Sequence, residues 1–335
     1  MDKPLKFAYS KTPYRYVSYF KDGKWSKGEL TTNDTITLSE SACVLQYAQT
    51  CFEGLKAYKT KEGKIVCFRP DLNAERMISS CERMKMPPID KEEFIKACMK
   101  VIKANENYIP EFGSGGSLYL RPFMIGTTPV LGVKPSLEFE FRIFASPVGA
   151  YFSTPVKPLN LRICDLDRAA PNGTGGIKAG LNYAMSLYAI VDAHEKGFDE
   201  NVYLDSASRT YIEETGGANI LFVTKDNKLV TPSSPSILPS ITRRSIVQIA
   251  RDYLHMEVEE RRIRVDELEN FVECGLCGTA AVISPVKTIY NQGKTISFEV
   301  NENGFGNVLE KLRHLLMDIQ QENIEGPSGW VFEIK

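Results

Sequence analysis

An α+β chain of two domains is what this sequence predicts, and three observations predict it. The 335 residues are enough for two domains of ordinary size. Strand-like and helix-like segments are interleaved without the steady β-α-β rhythm of a parallel sheet. A Ser-Pro-Val-Gly-Ala run at 146–150 carries Pro and Gly where two strand-rich blocks meet, and marks a linker. The expected division is a small α+β domain over 1–146, a linker over 147–152 and a larger domain over 153–335.

The elements follow in order. Residues 16–20 and Trp25 flank Asp22-Gly23, a hairpin turn. Segments 54–59 and 64–69 flank a second Gly-containing turn. Asp71 is placed to cap a helix running to about Met84, where Pro87-Pro88 stops it. Asp90 is placed to cap the next, whose Phe94, Ile95, Cys98, Val101 and Ile102 recur on one face. Strands are expected at 117–125 and 137–145. Beyond the linker come a strand at 159–165, a Gly-rich loop, and a helix from about Ala179 to Lys196 ended by Gly197. Strands at 201–204, 210–212, 219–224 and 228–231 follow. Helices start near Ser240 and near Asp266, and a last one spans about 306–321. No internal repeat or low-complexity tract interrupts this pattern.

Composition narrows the function. A net charge of -1 gives no broad attraction to nucleic acid or membrane surfaces. No apolar run approaches the ~18 residues of a membrane helix. Met1-Asp2-Lys3-Pro4 lacks the apolar core of a secretory signal, so a cytoplasmic location is expected. Most of the eight cysteines stand singly in apolar surroundings, as reduced core thiols do. Cys274-Gly-Leu-Cys277 is the close pair; a structural role is expected, with a redox disulfide as the alternative. His194, His255 and His314 are far apart, so no metal site is expected.

Four clusters carry candidate chemistry. In 167–183, Lys178 lies among Gly173, Gly175, Gly176 and Gly180 at the mouth of a helix. Asn182 and Tyr183 follow one turn later. Glycines allow close backbone approach to a flat ligand, and a desolvated Lys becomes an amine nucleophile. A hydrated surface loop is the alternative. Glu213-Glu214-Thr-Gly216-Gly217 interrupts a strand pattern and could fix a carboxylate against a ligand cation, or form an ordinary turn. Pro239-Ser240-Ile241-Thr242 opens a helix, where backbone N–H groups and the dipole suit a phosphate. Gly278-Thr279-Ala280 suits an anion-binding turn. Gly293-Lys294-Thr295 mimics a P-loop end, but Thr288 stands where the first Gly is required.

With Lys178, Glu214 and Thr242 in view, the sequence resembles class IV pyridoxal-phosphate (PLP) aminotransferases. Within them it is similar to the branched-chain amino-acid aminotransferases. The resemblance runs from about Tyr19 to Val286. Its segments are Gln46-Tyr47, Cys51-Phe52-Glu53-Gly54, Phe68-Arg69-Pro70 with Arg76, Leu118-Tyr119-Leu-Arg121-Pro122, Pro147-Val-Gly-Ala-Tyr151, Lys178-Ala-Gly180-Leu-Asn182-Tyr183, Glu214 with Asn219, Leu238-Pro-Ser-Ile-Thr242-Arg243 and Gly278-Thr-Ala280. Leu181 departs from the Gly usual in that family.

The resemblance implies a fold-type IV PLP enzyme: two α+β domains with the cofactor in the cleft between them, in a homodimer. It makes Lys178 the Schiff-base lysine and acid–base catalyst. It puts Tyr183 on the cofactor's phenolic oxygen and Glu214 on the pyridine nitrogen, with Arg76, Ile241, Thr242 and Thr279 at the phosphate. Tyr47, Phe52, Tyr119, Arg121, Thr279 and Ala280 would shape the substrate site, with Arg121 orienting Tyr47. Leucine, isoleucine and valine with 2-oxoglutarate are the implied substrates. D-amino-acid aminotransferase, aminodeoxychorismate lyase and a catalytically silent binding protein are the competing readings. Nothing is assigned before Tyr16.

Overall fold

Alternating burial along the strands sorts core from site in the first of two compact units. The computed structural model describes residues 7–151 and 156–335, and counts and absences below refer to these. The first unit comprises Met1–Tyr151, Ile177–Leu181 and Ile319–Lys335. Its elements are β1 (Arg15–Lys21), β2 (Lys24–Trp25), β3 (Glu29–Thr31), α1 (Cys43–Tyr47), β4 (Thr50–Phe52), β5 (Leu55–Lys59), β6 (Ile65–Phe68), α2 (Pro70–Arg83), α3 (Lys91–Ala104), β7 (Ser117–Gly126) and β8 (Phe139–Val148). The C-terminal strand Val331–Glu333, β6, β5, β7, β8, β1 and β2 form one antiparallel sheet, with β3 beside β1 and β4 beside β7. On β7, Leu118, Leu120 and Met124 are fully buried, packed with Met77 of α2 and Cys98, Val101 and Ile102 of α3. Tyr119, Arg121 and Phe123 point to the other face and stay half-buried, as a period of two requires. That second face holds three of the candidate substrate residues, Phe52, Tyr119 and Arg121.

Phe152–Gly176 and Asn182–Asp318 form the second unit. Its elements are β9 (Leu159–Ile163), α4 (Gly180–Met185, from Asn182 on), α5 (Leu187–Glu195), β10 (Glu200–Leu204), β11 (Tyr211–Thr215), β12 (Asn219–Thr224), β13 (Leu229–Pro232), α6 (Ile241–Asp252), β14 (Val258–Arg261), β15 (Ile263–Arg264), β16 (Phe271–Gly278), β17 (Val282–Asn291), β18 (Lys294–Ser297) and α7 (Asn307–Gln320, as far as Asp318). The sheet runs β14-β13-β12-β16-β17-β9-β10-β11-β15, with β18 beside β17. Parallel pairs (β9 with β10 and β17, β13 with β14) lie among antiparallel ones, so both units mix helix and sheet in an α+β manner. Leu161, Val202, Ile220, Phe222, Val230, Val286 and Ile289 fill its core.

Several local expectations are corrected. Ile177–Leu181 and the C-terminal residues, placed by sequence in the second domain, pack with the first unit. An isolated bridge from Cys51 to Ala179 and the pairing of Val331–Glu333 with β6 hold them there. β8 continues to Val148, so extended chain replaces the start of the expected linker; Phe152 lies outside the described residues. The helix expected over 179–196 is broken at Ser186. The one near Asp266 is a 3-10 segment, Val265–Asn270. Asp90 caps α3 as expected, accepting from the Glu92 and Glu93 N–H groups. Asp71, by contrast, sits inside the first turn of α2.

The Cys274–Cys277 pair is structural by geometry. Cys274 lies opposite Phe222 and Val286, and Cys277 opposite Asn219 and Ile283, within continuous β16. Three residues of extended chain span about 10 Å, beyond the roughly 7 Å Cα limit of a disulfide. The odd spacing also turns the two thiols to opposite faces. Both are buried, and burial pushes Cys277 up to about 12. Treating the folded protein with diamide or peroxide should therefore yield no Cys274–Cys277 linkage in non-reducing peptide mapping.

Candidate active site

In the first unit, α2 and β4 pin the Lys178 peptide from both sides. The Lys178 N–H donates to Ser80 Oγ at 3.0 Å, and the Phe52 N–H donates to the Lys178 carbonyl at 3.1 Å. Asn73, Arg76 and Ser80 recur at helical spacing, so one stripe of α2 delivers all three. The Lys178 amine stands 4.8 Å from the Phe52 ring centroid. Burial lowers its proton affinity from the usual 10.5 to about 8. Arg76 and Arg121 also lower it, while Glu53 and Tyr119 work in the opposite direction.

Arg76 is buried on α2 and gripped through one edge of its guanidinium. Its Nε and one terminal nitrogen each donate to a Glu53 carboxylate oxygen at 2.7 Å. Glu53 has no exposed surface. Asn73 Nδ2 adds a third bond, to Glu53 Oε2 at 2.7 Å.

Phe52, Tyr119 and Arg121 form a continuous group on the sheet face. Arg121 donates to the Tyr119 hydroxyl at 3.2 Å and lies 4.8 Å over the Phe52 ring. The expected Arg121–Tyr47 contact is not made: the Tyr47 hydroxyl donates to the Leu131 carbonyl. Arg121 Nε is buried without a hydrogen-bond partner among the described residues. A Cβ at Gly54 would overlap the Tyr119 hydroxyl, so this glycine makes room for that ring's position. Phe7 meets Tyr119 edge-on at 5.5 Å, and Tyr151 meets Phe7 at the same distance.

In the second unit, alternation on β11 turns Glu213 and Glu214 to opposite faces. Glu214 Oε1 accepts from the Leu238 N–H at 2.8 Å and pairs with Arg168 at 2.8 Å; Oε2 accepts from Asn219 Nδ2 at 2.7 Å. Arg168 is itself fixed by the carbonyls of Gly175 and Ser236. Three donors, one of them cationic, hold this carboxylate in place. Glu213 instead accepts from Ser234 Oγ at 2.8 Å, and burial raises its proton affinity.

Asn182 is tied to Thr174 in this unit, at 2.7 Å through each end of its amide, and Tyr183 is half-buried on α4. Ser240 caps α6 by accepting from the Arg243 N–H at 3.2 Å. The amides of Ile241 and Thr242 open that helix, where geometry provides no acceptor inside the helix. Thr279 and Ala280 form the turn from β16 to β17, which ends at Val282 with φ +65°. A β-branched residue in the left-handed region is strained, and such strain concentrates at ligand-binding turns.

Tyr47, Phe52, Arg76, Tyr119, Arg121 and Lys178 thus lie in the first unit, and Tyr183, Glu214, Ile241, Thr242, Thr279 and Ala280 in the second. Sequence reasoning assigned no role to Glu53, Ser80, Arg168 or Phe7. An acid inside Cys-Phe-Glu-Gly and an arginine beside the Gly-rich loop were the available signals for two of them. Ser80 and Phe7 carry no sequence signal.

Comparison with known proteins agrees with this chemistry. The amino-transferase class IV profile matches residues 50–289. Over 334 residues the chain is 49% identical to a branched-chain-amino-acid aminotransferase of Helicobacter pylori (strain J99 / ATCC 700824), covering 99% of this chain and 97% of that protein. It is 48% identical over 336 residues to the one from Haemophilus influenzae, covering 99% and 98%. Among solved structures, the Escherichia coli branched-chain amino acid aminotransferase aligns with a TM-score of 0.78 at 27% identity, over 96% of this chain and 99% of that one. A T.th. branched-chain amino acid aminotransferase with pyridoxamine 5'-phosphate gives 0.80 at 25% identity, over 97% and 100%. A family profile spanning most of the chain, and relatives matched nearly end to end, place one conclusion beyond the geometry: this chain belongs to the amino-transferase class IV family.

Proposed function

We propose that the protein transfers the amino group of L-leucine, L-isoleucine and L-valine to 2-oxoglutarate, giving branched-chain 2-oxo acids and L-glutamate, with pyridoxal 5'-phosphate as cofactor. One observation carries this reading furthest: the Lys178 amine, its proton affinity lowered to about 8, stands over Phe52 in the unit that also carries the Tyr119–Arg121 pair.

The residues present fit the cofactor. A desolvated amine suits its carbonyl, a carboxylate fixed by three donors suits its ring nitrogen, and a buried arginine with a capped helix start suits its phosphate. Lys178 and Arg76 would hold it from the first unit, and Tyr183, Glu214, Ile241, Thr242 and Thr279 from the second. Bound pyridoxal phosphate supplies the carbonyl that accepts the amino group and the ring that absorbs the electrons left on the α-carbon. Glu214 keeps a proton on the ring nitrogen. Lys178 Nζ, once released, carries the proton that leaves the α-carbon.

The neutral form of Lys178 is the nucleophile, and its folded proton affinity lies below the usual value. The free-base fraction therefore rises with pH up to about 8, not up to 10.5. Covalent capture of the cofactor by apo-protein should quicken about tenfold per pH unit below that point and level off above it. Stopped-flow absorbance from pH 6 to 10 checks this.

Substrate breadth follows from the sheet face. Phe52 and Tyr119, backed by Phe7, give an apolar wall. Arg121, with its partnerless Nε, gives a place for the second carboxylate of glutamate. The Thr279–Ala280 amides and the Tyr119 hydroxyl, sharpened as a donor by Arg121, would take the α-carboxylate. Adding or removing a methylene in such a pocket changes binding by about 1–3 kcal/mol, so all three branched substrates should turn over within a few tens-fold of each other. Incubation with leucine and 2-oxoglutarate tests the function; turnover of D-alanine with none of L-leucine would overturn it. Arg121→Ala should cost 2-oxoglutarate about ten- to hundredfold in kcat/KM and leucine far less, because only the former brings an extra charge.

A cytoplasmic homodimer completes the reading. All eight cysteines are free and buried, which suits a reducing compartment. No helix among the described residues is long and apolar enough to cross a membrane. Leu131 and Val133, in the loop between β7 and β8, are 94% and 86% exposed, and Leu187, Tyr188 and Val191 of α5 are also exposed. Exposed apolar clusters of this kind favour burial by a second copy. Sedimentation equilibrium gives the oligomeric state.

A further inference from the structure

We propose that Glu53 is a positioning residue for cofactor capture: it locks Arg76 by one guanidinium edge, so that the opposite edge is presented in a single orientation to a phosphate. The proposal rests on the reading of Arg76 as a phosphate ligand. Glu53 has no exposed surface, Arg76 is nearly as buried, and an ionised pair in such a place carries a large desolvation cost. Two parallel bonds of 2.7 Å use Nε and one terminal nitrogen of Arg76. That is the side edge of the planar fork, and its end-on donors face away from Glu53.

Glu53 cannot swing out of this geometry. Asn73 Nδ2 holds Oε2 at 2.7 Å and also bonds the Gly54 carbonyl at 3.2 Å, while the Gly54 N–H reaches Oε2 at 3.3 Å. The carboxylate is thus fixed from three directions, and the guanidinium inherits its rigidity. Held in one pose, a fork loses little side-chain freedom when it binds an anion. A second consequence falls on Lys178. Arg76 disfavours the protonated amine and Glu53 favours it, so the pair keeps a cation near the amine without stripping it of its proton at every pH.

The test compares two forms of one ligand. Wild type, Glu53→Gln, Asn73→Ala and Arg76→Ala are stripped of cofactor and titrated with pyridoxal phosphate and with pyridoxal, following protein-bound absorbance. Thermal unfolding is recorded for each. Glu53→Gln should weaken pyridoxal phosphate about ten- to hundredfold and pyridoxal less than about threefold. Asn73→Ala should do the same more mildly, and remains informative where Glu53→Gln does not fold. The pH at which cofactor capture levels off should also move down in Glu53→Gln, since the carboxylate that raises the Lys178 proton affinity is gone. Equal loss for both forms would make Glu53 a structural residue only and overturn the proposal. So would unchanged phosphate-form binding in Glu53→Gln and Asn73→Ala while Arg76→Ala weakens it. If Arg76→Ala also leaves the preference for the phosphorylated form intact, the phosphate reading of Arg76 falls and the proposal with it.

Discussion

Replacing Lys178 by alanine lowers leucine-dependent glutamate formation by at least about a thousandfold, because covalent anchor and proton carrier disappear together. The protein should still fold. The segment is held by its backbone, through Ser80 and the Phe52 N–H, and neither contact uses the amine. Pyridoxal phosphate should therefore still associate with the variant through Arg76 and Glu214, but without the visible absorbance of a covalent complex. In the wild type, borohydride should bleach that absorbance, and digestion should recover the pyridoxyl group on Lys178. A label on any other lysine would sink the assignment. Equal circular dichroism and melting curves for both proteins separate loss of chemistry from loss of fold.

The Glu214→Gln variant should lose about a hundredfold or more in kcat, with a smaller change in cofactor affinity. Two effects act together. The amide cannot sustain a proton on the cofactor ring, and its NH2 must face one of the donors that now hold the carboxylate: the Leu238 N–H, Asn219 or Arg168. Arg168 is then left buried without its counter-charge, which costs about 3–5 kcal/mol of stability by analogy with other buried pairs. A lower melting temperature should accompany the fall in kcat. Glu213→Gln is the control. It keeps an acceptor for Ser234, removes a group that burial already pushes toward its neutral form, and should change kcat less than about threefold. The reverse pattern would mean that the other face of β11 carries the chemistry.

The readable parts of this sequence were those with a local physical signature. Asp90 announces its helix because a carboxylate there can accept the N–H groups two and three residues on. Lys178 stands out because glycines surround it, and Glu214 because two acids and two glycines break a strand pattern. What could not be read was set by distant partners. Whether Arg121 serves Tyr47 or Tyr119 depends on the β7 face and on the Leu131 carbonyl that takes the Tyr47 hydroxyl. Arg168 becomes important only when Glu214 arrives from 46 residues away, and Glu53 only when α2 brings Arg76 onto it. Ser186 interrupts a helix that periodicity alone would continue.

The pairing of Val331–Glu333 with β6 bears on how the protein is made. β6 ends at Phe68 and its neighbour begins at Val331, so β6 leaves the ribosome long before the strand that covers it. At a synthesis rate of about 5–20 residues per second, β6 waits roughly tens of seconds as an open edge, able to pair with any strand it meets. Arg69, beside β6, waits for Trp330 as well: the finished fold sets its guanidinium 4.3 Å over that indole, and the Arg69 N–H donates to the Trp330 carbonyl. The first sheet is therefore completed only after the second unit has been made, and chains cut before Val331 expose a sticky edge that this strand otherwise covers.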